Sequence, residues 1–227
     1  MSNEKSLVKS LERSLQAKTL GDLVRAKTSE VVYLVADVSS SMHDTFLDKD
    51  GRTARKIDAL RRVVAMIQNK TPTPMIIFGG PWYPEGFTFG GDQQLIYAKF
   101  ADEVPEPFGG TPLAEAIQFA RDNGAGRLVV ISDGGPNDQS RAMETAAVFG
   151  GRIDVVYIGM PGDYGSKILI ELAEKSGGTQ FEGDLTEPLA LAGSVIGLLN
   201  GEVLQVSEDE EEDADEDDEE DEDDEDQ

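Results

Sequence analysis

Val31-Val32-Tyr33-Leu34-Val35-Ala36-Asp37-Val38-Ser39-Ser40-Ser41 is an apolar run that passes directly into a carboxylate and hydroxyl groups. A short apolar run of this kind is typical of a buried β-strand. Side chains alternate along an extended segment, so Asp37, Ser39 and Ser41 face one point. Their oxygens are the hard ligands that Mg²⁺ or Mn²⁺ prefer. The stretch therefore predicts a cation site at a strand end, or an ordinary turn, where Ser and Asp are also favoured.

Two later segments place similar side chains at the start or end of a predicted element. In the segment GGTPLAEAI, residues 109–117, Thr111 is also an expected helix N-cap with Pro112 at the first helical position. The segment LVVISDG, residues 128–134, is a second apolar strand that ends at a carboxylate. Parallel α/β proteins place their sites at the carboxyl ends of strands. The residues expected to meet there are Asp37, Ser39, Ser41, Thr111 and Asp133.

This combination resembles the metal-ion-dependent adhesion site of von Willebrand factor type A (VWA) domains. The family pattern is D-x-S-x-S after the first strand, a Thr before a later helix and an Asp after the fourth strand, and all five positions match. The resemblance covers roughly residues 28–200. It implies a Rossmann-like α/β fold with a central, mostly parallel sheet, one antiparallel edge strand and helices on both faces.

The same resemblance implies a function. Mg²⁺ or Mn²⁺ is expected on Asp37, Ser39, Ser41, Thr111 and Asp133, and a protein partner is expected to complete the metal shell with an Asp or Glu side chain. The module itself is expected not to be an enzyme. Many intracellular members of the family act with AAA+ ATPases, magnesium chelatase being one such assembly, so an ATPase of that class is one expected partner.

Charge and composition divide the chain into three segments. The formal charge is −25, and residues 208–226 hold 18 acidic side chains, which leaves −7 for the rest. We expect an amphipathic helical extension over 1–27, the α/β domain over 28–200 and a disordered polyacidic tail over 201–227. The chain has no cysteine, and no apolar run of about 20 residues marks a signal or membrane segment. A cytoplasmic protein without membrane contact is therefore expected.

Apolar periodicity predicts alternating strands and helices, and hence a parallel sheet covered on both faces. The strands are expected at 31–37, 75–78, 95–100, 127–132, 153–158 and 179–182, and the helices at 55–69, 112–122, 138–149, 164–175 and 187–199. The second and third strands are joined without a helix, which predicts an antiparallel pair. Basic residues on the first of these helices are expected on its solvated face: Arg55, Lys56, Arg61 and Arg62.

The loop over 79–93 follows a strand that runs parallel to the first, so it is expected at the same edge as the metal ligands. It is rich in Gly and Pro and carries Trp82, Tyr83, Phe87 and Phe89. These aromatic residues are either anchors for a partner or part of the protein's own core, and both interpretations remain open. The last helix is expected to run away from the metal ligands, so that the acidic tail leaves from the opposite pole.

The sequence also bears on three other functions. A phosphohydrolase of the haloacid-dehalogenase class needs a second carboxylate two residues after the first, where this chain has Ser39, and no P-loop is present. Direct nucleic-acid binding is not expected, because it needs clustered Lys and Arg. The acidic tail could instead mimic a polyanion or act as a scaffold for a basic protein.

Overall fold

The structure is a computed structural model that describes residues 31–80 and 97–201. The predicted N-terminal helix, most of the aromatic loop over 79–93 and the acidic tail from residue 202 onward lie outside the described residues. Within the described part, no helix is both long and apolar enough to cross a membrane.

A six-stranded sheet forms the centre of the fold. The described residues contain eight strands, of which six form this sheet. They are β1 (Val32–Asp37), β2 (Thr45–Leu47), β3 (Thr53–Arg55), β4 (Met75–Phe78), β5 (Ala98–Phe100), β6 (Arg127–Ser132), β7 (Arg152–Tyr157) and β8 (Gln180–Glu182). The sheet order is β5-β4-β1-β6-β7-β8, and β2 pairs with β3 in a separate two-stranded sheet. All neighbours in the large sheet are parallel except β4 and β5. The predicted parallel sheet with one antiparallel edge strand is confirmed.

Within residues 31–80 and 97–201, five α-helices cover the two faces of this sheet. They are α1 (Lys56–Lys70), α2 (Leu113–Asp122), α3 (Gln139–Val148), α4 (Tyr164–Lys175) and α5 (Pro188–Leu199). Successive residues of β1 point to opposite faces: Leu34 packs in the cluster with α1 and α5, and Val35 in the cluster with α2, α3 and α4. Because both faces are buried, the central strands carry apolar residues on both faces over most of their length. This is a Rossmann-like α/β arrangement.

The predicted bounds of these elements agree with the structure to within one residue, except that β5 begins at Ala98. A 3₁₀-helix over Ser40–His43 and the β2–β3 hairpin were not predicted. Each hairpin strand has only three residues, exposed or half-buried, so no apolar alternation marks them. Because α1 begins directly after β3, the hairpin leads straight into the start of this helix.

The parallel strands define two edges of the sheet. We call the edge where β1 and β6 end the carboxyl edge, and the edge where β6 and β7 begin the amino edge. The described chain ends beside the amino edge, since a Cβ added at Gly201 would lie 3.6 Å from Arg127 Nη1. The start of the acidic tail is therefore at the pole opposite the predicted site, as expected.

Candidate metal centre

Asp37 ends β1 and is fully buried at the carboxyl edge. Its Oδ1 accepts a hydrogen bond from the Ser39 backbone N–H at 2.7 Å. Its Oδ2 accepts one from Ser132 Oγ at 2.6 Å, across to the end of β6. A donor on each oxygen fixes the orientation of the carboxylate and of the turn that follows it. This turn leads into the 3₁₀-helix that carries Ser41.

Two hydroxyls connect this turn to the end of β6. The Oγ atoms of Ser39 and Ser41 lie 3.0 Å apart. Ser41 Oγ donates to Asp133 Oδ1 at 2.7 Å. The predicted residues of two strand ends thus form one hydrogen-bonded chain, beside the buried carboxylate of Asp37.

Thr111 is brought to the same edge by its backbone. The Ser40 N–H donates to the carbonyl of Gly109 at 2.8 Å, which joins the two loops. The Thr111 N–H donates to Asn137 Oδ1 at 2.9 Å, and the Asn137 N–H donates to the Thr111 carbonyl at 3.0 Å. Thr111 is buried, with 6% of its surface exposed. The fifth predicted residue therefore lies on a loop that is tied to the Ser39–Ser41 turn.

The predicted N-cap role of Thr111 is wrong by one residue. Pro112 occupies the cap position, α2 begins at Leu113, and no side chain caps the helix. The Leu113 N–H donates to the Thr111 carbonyl at 2.9 Å instead. The reason is the pair of backbone bonds to Asn137, which hold Thr111 outside the helix.

Gly109 permits the close contact between this loop and the end of β4. Its φ is +67°, and a Cβ there would overlap the backbone of Gly80. The Gly110 N–H also donates to the Gly80 carbonyl. Gly79 and Gly80 are the first residues of the aromatic loop, so the loop begins at the carboxyl edge, as predicted.

Lys56 is not on a solvated face, contrary to prediction. Its ammonium donates to Asp133 Oδ2 at 2.7 Å and lies 3.6 Å from Asp44 Oδ2. The Lys56 side chain is only 17% exposed. The Lys56 N–H donates to the Asp44 carbonyl at 2.9 Å, which fixes the start of α1 beside the 3₁₀-helix. A positive charge therefore lies among the predicted ligands.

The carboxyl edge carries more negative than positive charge. Burial raises the pKa of the Asp37 carboxyl to about 7, and the charge of Asp133 adds to the increase. Hydrogen bonds from Ser132 and Ser39 oppose that rise without cancelling it. A cation bound here would relieve the cost of burying a carboxylate beside a second one.

The donor set consists of oxygen atoms only, and most of its members are neutral. Within residues 31–80 and 97–201, no three His, Cys, Asp or Glu side chains come together as a metal-binding group. The carboxyl edge instead combines two carboxylates with the hydroxyls of Ser39 and Ser41, and Thr111 lies on the loop tied to them. This set fits Mg²⁺ or Mn²⁺ with part of its shell left to water, and it does not fit Zn²⁺, which prefers nitrogen and sulfur ligands.

Sequence reasoning missed Ser132, Lys56 and Asn137. Ser132 directly precedes Asp133, but its contact with Asp37 depends on the pairing of β1 with β6, in which Ala36 is opposite Ile131. Lys56 reaches Asp133 across a separation of 77 residues. No local sequence signal reports such contacts, because they arise from the order of strands in the sheet.

Comparisons with known proteins inform the fold alone. No protein-family model matches the chain, and no curated protein sequence matches it. It is similar in structure to the PilB minor pilin from Streptococcus sanguinis, at 14% identity and a TM-score of 0.50, covering 77% of this chain and 62% of the pilin chain. A point mutant of that pilin aligns at 14% identity and a TM-score of 0.49, over 75% of this chain and 60% of its own.

A third structure, an uncharacterized membrane spanning protein from Vibrio fischeri, is 17% identical over 74% of this chain and 98% of its own. Its TM-score of 0.26 is too low to compare folds. This chain spans less than two thirds of the pilin chains it matches. The pilin comparison agrees with an α/β fold.

Proposed function

We propose that this chain contains a VWA-type domain that binds one Mg²⁺ or Mn²⁺ and, through that ion, an acidic side chain of a protein partner. The observation that carries the proposal is the hydrogen-bonded chain from Ser39 through Ser41 to Asp133, next to the buried Asp37. It unites residues from two strand ends that the D-x-S-x-S pattern and a distant Asp predicted from sequence.

Each predicted residue has a distinct part in this proposal. The hydroxyls of Ser39, Ser41 and Thr111 would hold the ion as neutral ligands. Asp37 orients the Ser39 backbone, and Asp133 orients the Ser41 hydroxyl, and each carboxylate reaches the ion directly or through water. When bound, the cation supplies an electrophilic position that a carboxylate can fill.

The arrangement favours binding over hydrolysis. In a phosphohydrolase of the haloacid-dehalogenase class, Asp37 would be the nucleophile and would need an exposed carboxylate oxygen. Both of its oxygens accept hydrogen bonds, and the side chain is fully buried. Ser39 stands where that chemistry needs a second carboxylate. We therefore propose a non-enzymatic module.

Exposed apolar side chains beside the site supply a surface for the partner. Met160 and Tyr164 follow β7 and are 77% and 69% exposed. Their loop adjoins the site, because a Cβ at Gly165 would lie 2.8 Å from the Gly135 N atom, two residues beyond Asp133. We propose that the partner places a carboxylate at the ion and an apolar side chain against this loop. On the VWA resemblance, an AAA+ ATPase is the class of partner to test first.

Metal binding is tested by calorimetry and by Mn²⁺ electron paramagnetic resonance. Wild type is compared with Asp37→Ala/Asp133→Ala, and the matched control is Asp102→Ala/Asp122→Ala, which removes the same charge from exposed positions. We expect binding of one ion by wild type and the control, and its loss in the site variant. Equal binding by all three proteins would disprove the assignment.

Partner binding is tested separately, by capture from a lysate in Mg²⁺ or EDTA with mass spectrometry as the readout. We expect a protein that is retained by wild type in Mg²⁺ and lost in EDTA, with Asp37→Ala, and partly with Tyr164→Ala. A partner retained equally in EDTA would bind elsewhere on the chain.

A further inference from the structure

An ion pair between Lys56 and Asp133 lies within the proposed metal site. The Asp133 side chain is fully buried, and its Oδ2 is 2.7 Å from Lys56 Nζ. Its Oδ1 accepts from Ser41 Oγ. Both oxygens of this predicted ligand are therefore already in use within the chain.

We propose that Lys56 is a tethered counter-cation of Asp133, which a metal ion must displace, and that Asp44 receives the displaced ammonium. The inference rests on the proposed metal site and extends it to a residue that controls how tightly the ion is held.

The geometry provides a short path for this exchange. Lys56 Nζ is already 3.6 Å from Asp44 Oδ2, while the Asp44 side chain is 66% exposed. The bond from the Lys56 N–H to the Asp44 carbonyl keeps the two residues together, so only the flexible lysine stem has to move. Asp44 lies at the solvent side of the pair and can take up the ammonium without burying further charge.

The charges around the proposed metal site explain how Lys56 would affect metal binding. With Asp37 ionised, Asp37, Asp133 and Asp44 carry three negative charges against the one positive charge of Lys56, and a divalent cation brings that sum to zero. Without Lys56, the carboxylates of Asp37 and Asp133 alone would balance the ion. The lysine therefore weakens metal binding by the isolated domain, because the ion must compete with the ammonium for Asp133.

The test measures Mn²⁺ affinity of the full chain by electron paramagnetic resonance, without a partner. Lys56→Met removes the charge and keeps an unbranched stem, and Lys56→Arg keeps the charge. The control is Lys70→Met, which removes an equal charge at the other end of the same 15-residue helix, roughly 21 Å away. We expect Lys56→Met to bind Mn²⁺ roughly tenfold more tightly, and the other two variants to stay within about twofold of wild type.

The role of Asp44 is tested by a double-mutant cycle. Asp44→Asn is expected to weaken Mn²⁺ binding in the wild-type background, because the ammonium loses its second acceptor. In the Lys56→Met background that loss should shrink, since no ammonium is left to relocate. An equal loss in both backgrounds would mean that Asp44 acts only through its charge on the ion.

Other outcomes are decisive as well. If wild type binds Mn²⁺ and Lys56→Met binds it equally or more weakly, Lys56 merely holds Asp133 in place, and this inference fails while the proposed function stands. If neither binds Mn²⁺, both fail. Folding of each variant is checked by circular dichroism. Should Lys56→Met not fold, Lys56→Gln takes its place with the same expectation, because it is uncharged and still donates a hydrogen bond.

Discussion

Buried aspartates lie at both edges of the sheet, and their surroundings differ. At the amino edge, Asp154 Oδ2 accepts from Arg127 Nε at 2.9 Å and Nη2 at 2.6 Å. Its Oδ1 accepts from Arg152 Nε at 2.7 Å, and from the Thr179 N–H and Oγ1 at 3.2 Å each. Two guanidinium groups thus surround one carboxylate.

At the carboxyl edge, carboxylates outnumber cationic side chains. Of the two buried carboxylates at this edge, Asp133 pairs with the Lys56 ammonium, whereas Asp37 accepts hydrogen bonds from Ser39 and Ser132. Both donors to Asp37 are neutral, and the pKa of its carboxyl is raised to about 7 by burial and by Asp133. The comparison teaches that the buried carboxylate of the amino edge is fully paired with cations, whereas the carboxyl edge retains negative charge, as the proposed cation site requires.

The largest effect that tests this contrast is expected at the amino edge. Asp154→Asn leaves the nearly buried Arg127 without its counter-charge and should lower the free energy of unfolding by about 3–5 kcal/mol. The loss should be the same in Mg²⁺ and in EDTA, as measured by urea denaturation. Asp37→Asn in EDTA should cost no more than about 1 kcal/mol, because the weakened hydrogen bonds come from neutral donors and a buried charge beside Asp133 is removed. Equal losses would mean that both edges are structural.

The second largest loss of stability is expected where Gly109 contacts the backbone of Gly80 at the carboxyl edge. Gly109→Ala forces a left-handed φ on alanine and drives a Cβ into the Gly80 backbone, so we expect a loss of about 3 kcal/mol and impaired metal binding. The control is Gly124→Ala, whose φ is +80° but whose Cβ would meet nothing within 4 Å. Its loss should stay at about 1–2 kcal/mol. Thermal unfolding measures the loss of stability in both variants. Equal losses would mean that the close contact between Gly109 and Gly80 does not contribute to stability.

A smaller effect on stability, but a clear one on metal binding, is expected from Ser132→Ala. It removes the donor to Asp37 Oδ2 and frees that carboxylate to turn. Loss of such a supporting hydrogen bond typically lowers metal affinity by about 10–100-fold. Calorimetry with Mg²⁺ measures this affinity. The control is Ser176→Ala, because Ser176 is a half-buried serine that bonds to Ile153 and Ala173 away from the carboxyl edge. If Ser132→Ala left the metal affinity unchanged, the orientation of the Asp37 carboxylate would not matter for metal binding.

The smallest effect is expected where an arginine–carboxylate pair lies in solvent. Arg55 and Arg61 hold the pKa of Asp58 below its ordinary value, but the side chain of Asp58 is 39% exposed. Asp58→Asn should therefore cost less than about 1 kcal/mol at pH 7. Because the folded pKa is lowered, this contribution is present above the ordinary pKa of Asp and is lost only as the pH falls through the lower, folded value. Urea denaturation at pH 7 and pH 5 should give the same difference. If Asp58→Asn lost as much stability as Asp154→Asn, burial would not explain the difference between the Asp58 and Asp154 ion pairs.

Much of the fold and part of the site could be predicted from sequence. The apolar runs before Asp37 and Asp133 placed both carboxylates at strand ends, and the structure brings Ser41 and Asp133 into contact across 92 residues of sequence. The hairpin before α1 could not be predicted, because each of its strands has only three residues and none of them is buried. The start of α2 was placed one residue early, because the backbone bonds of Thr111 to Asn137 are not local.

The sequence by itself determined the alternation of buried strands and helices and the oxygen-rich side chains at two strand ends. These features depend on neighbours along the chain, through apolar periodicity and the preference of Ser, Thr and Asp for turns. Only the tertiary structure decided which charges meet. It placed Ser132 on Asp37, Lys56 on Asp133 and two arginines on Asp154, because contacts between distant residues depend on the strand order and on the packing of α1 against the sheet.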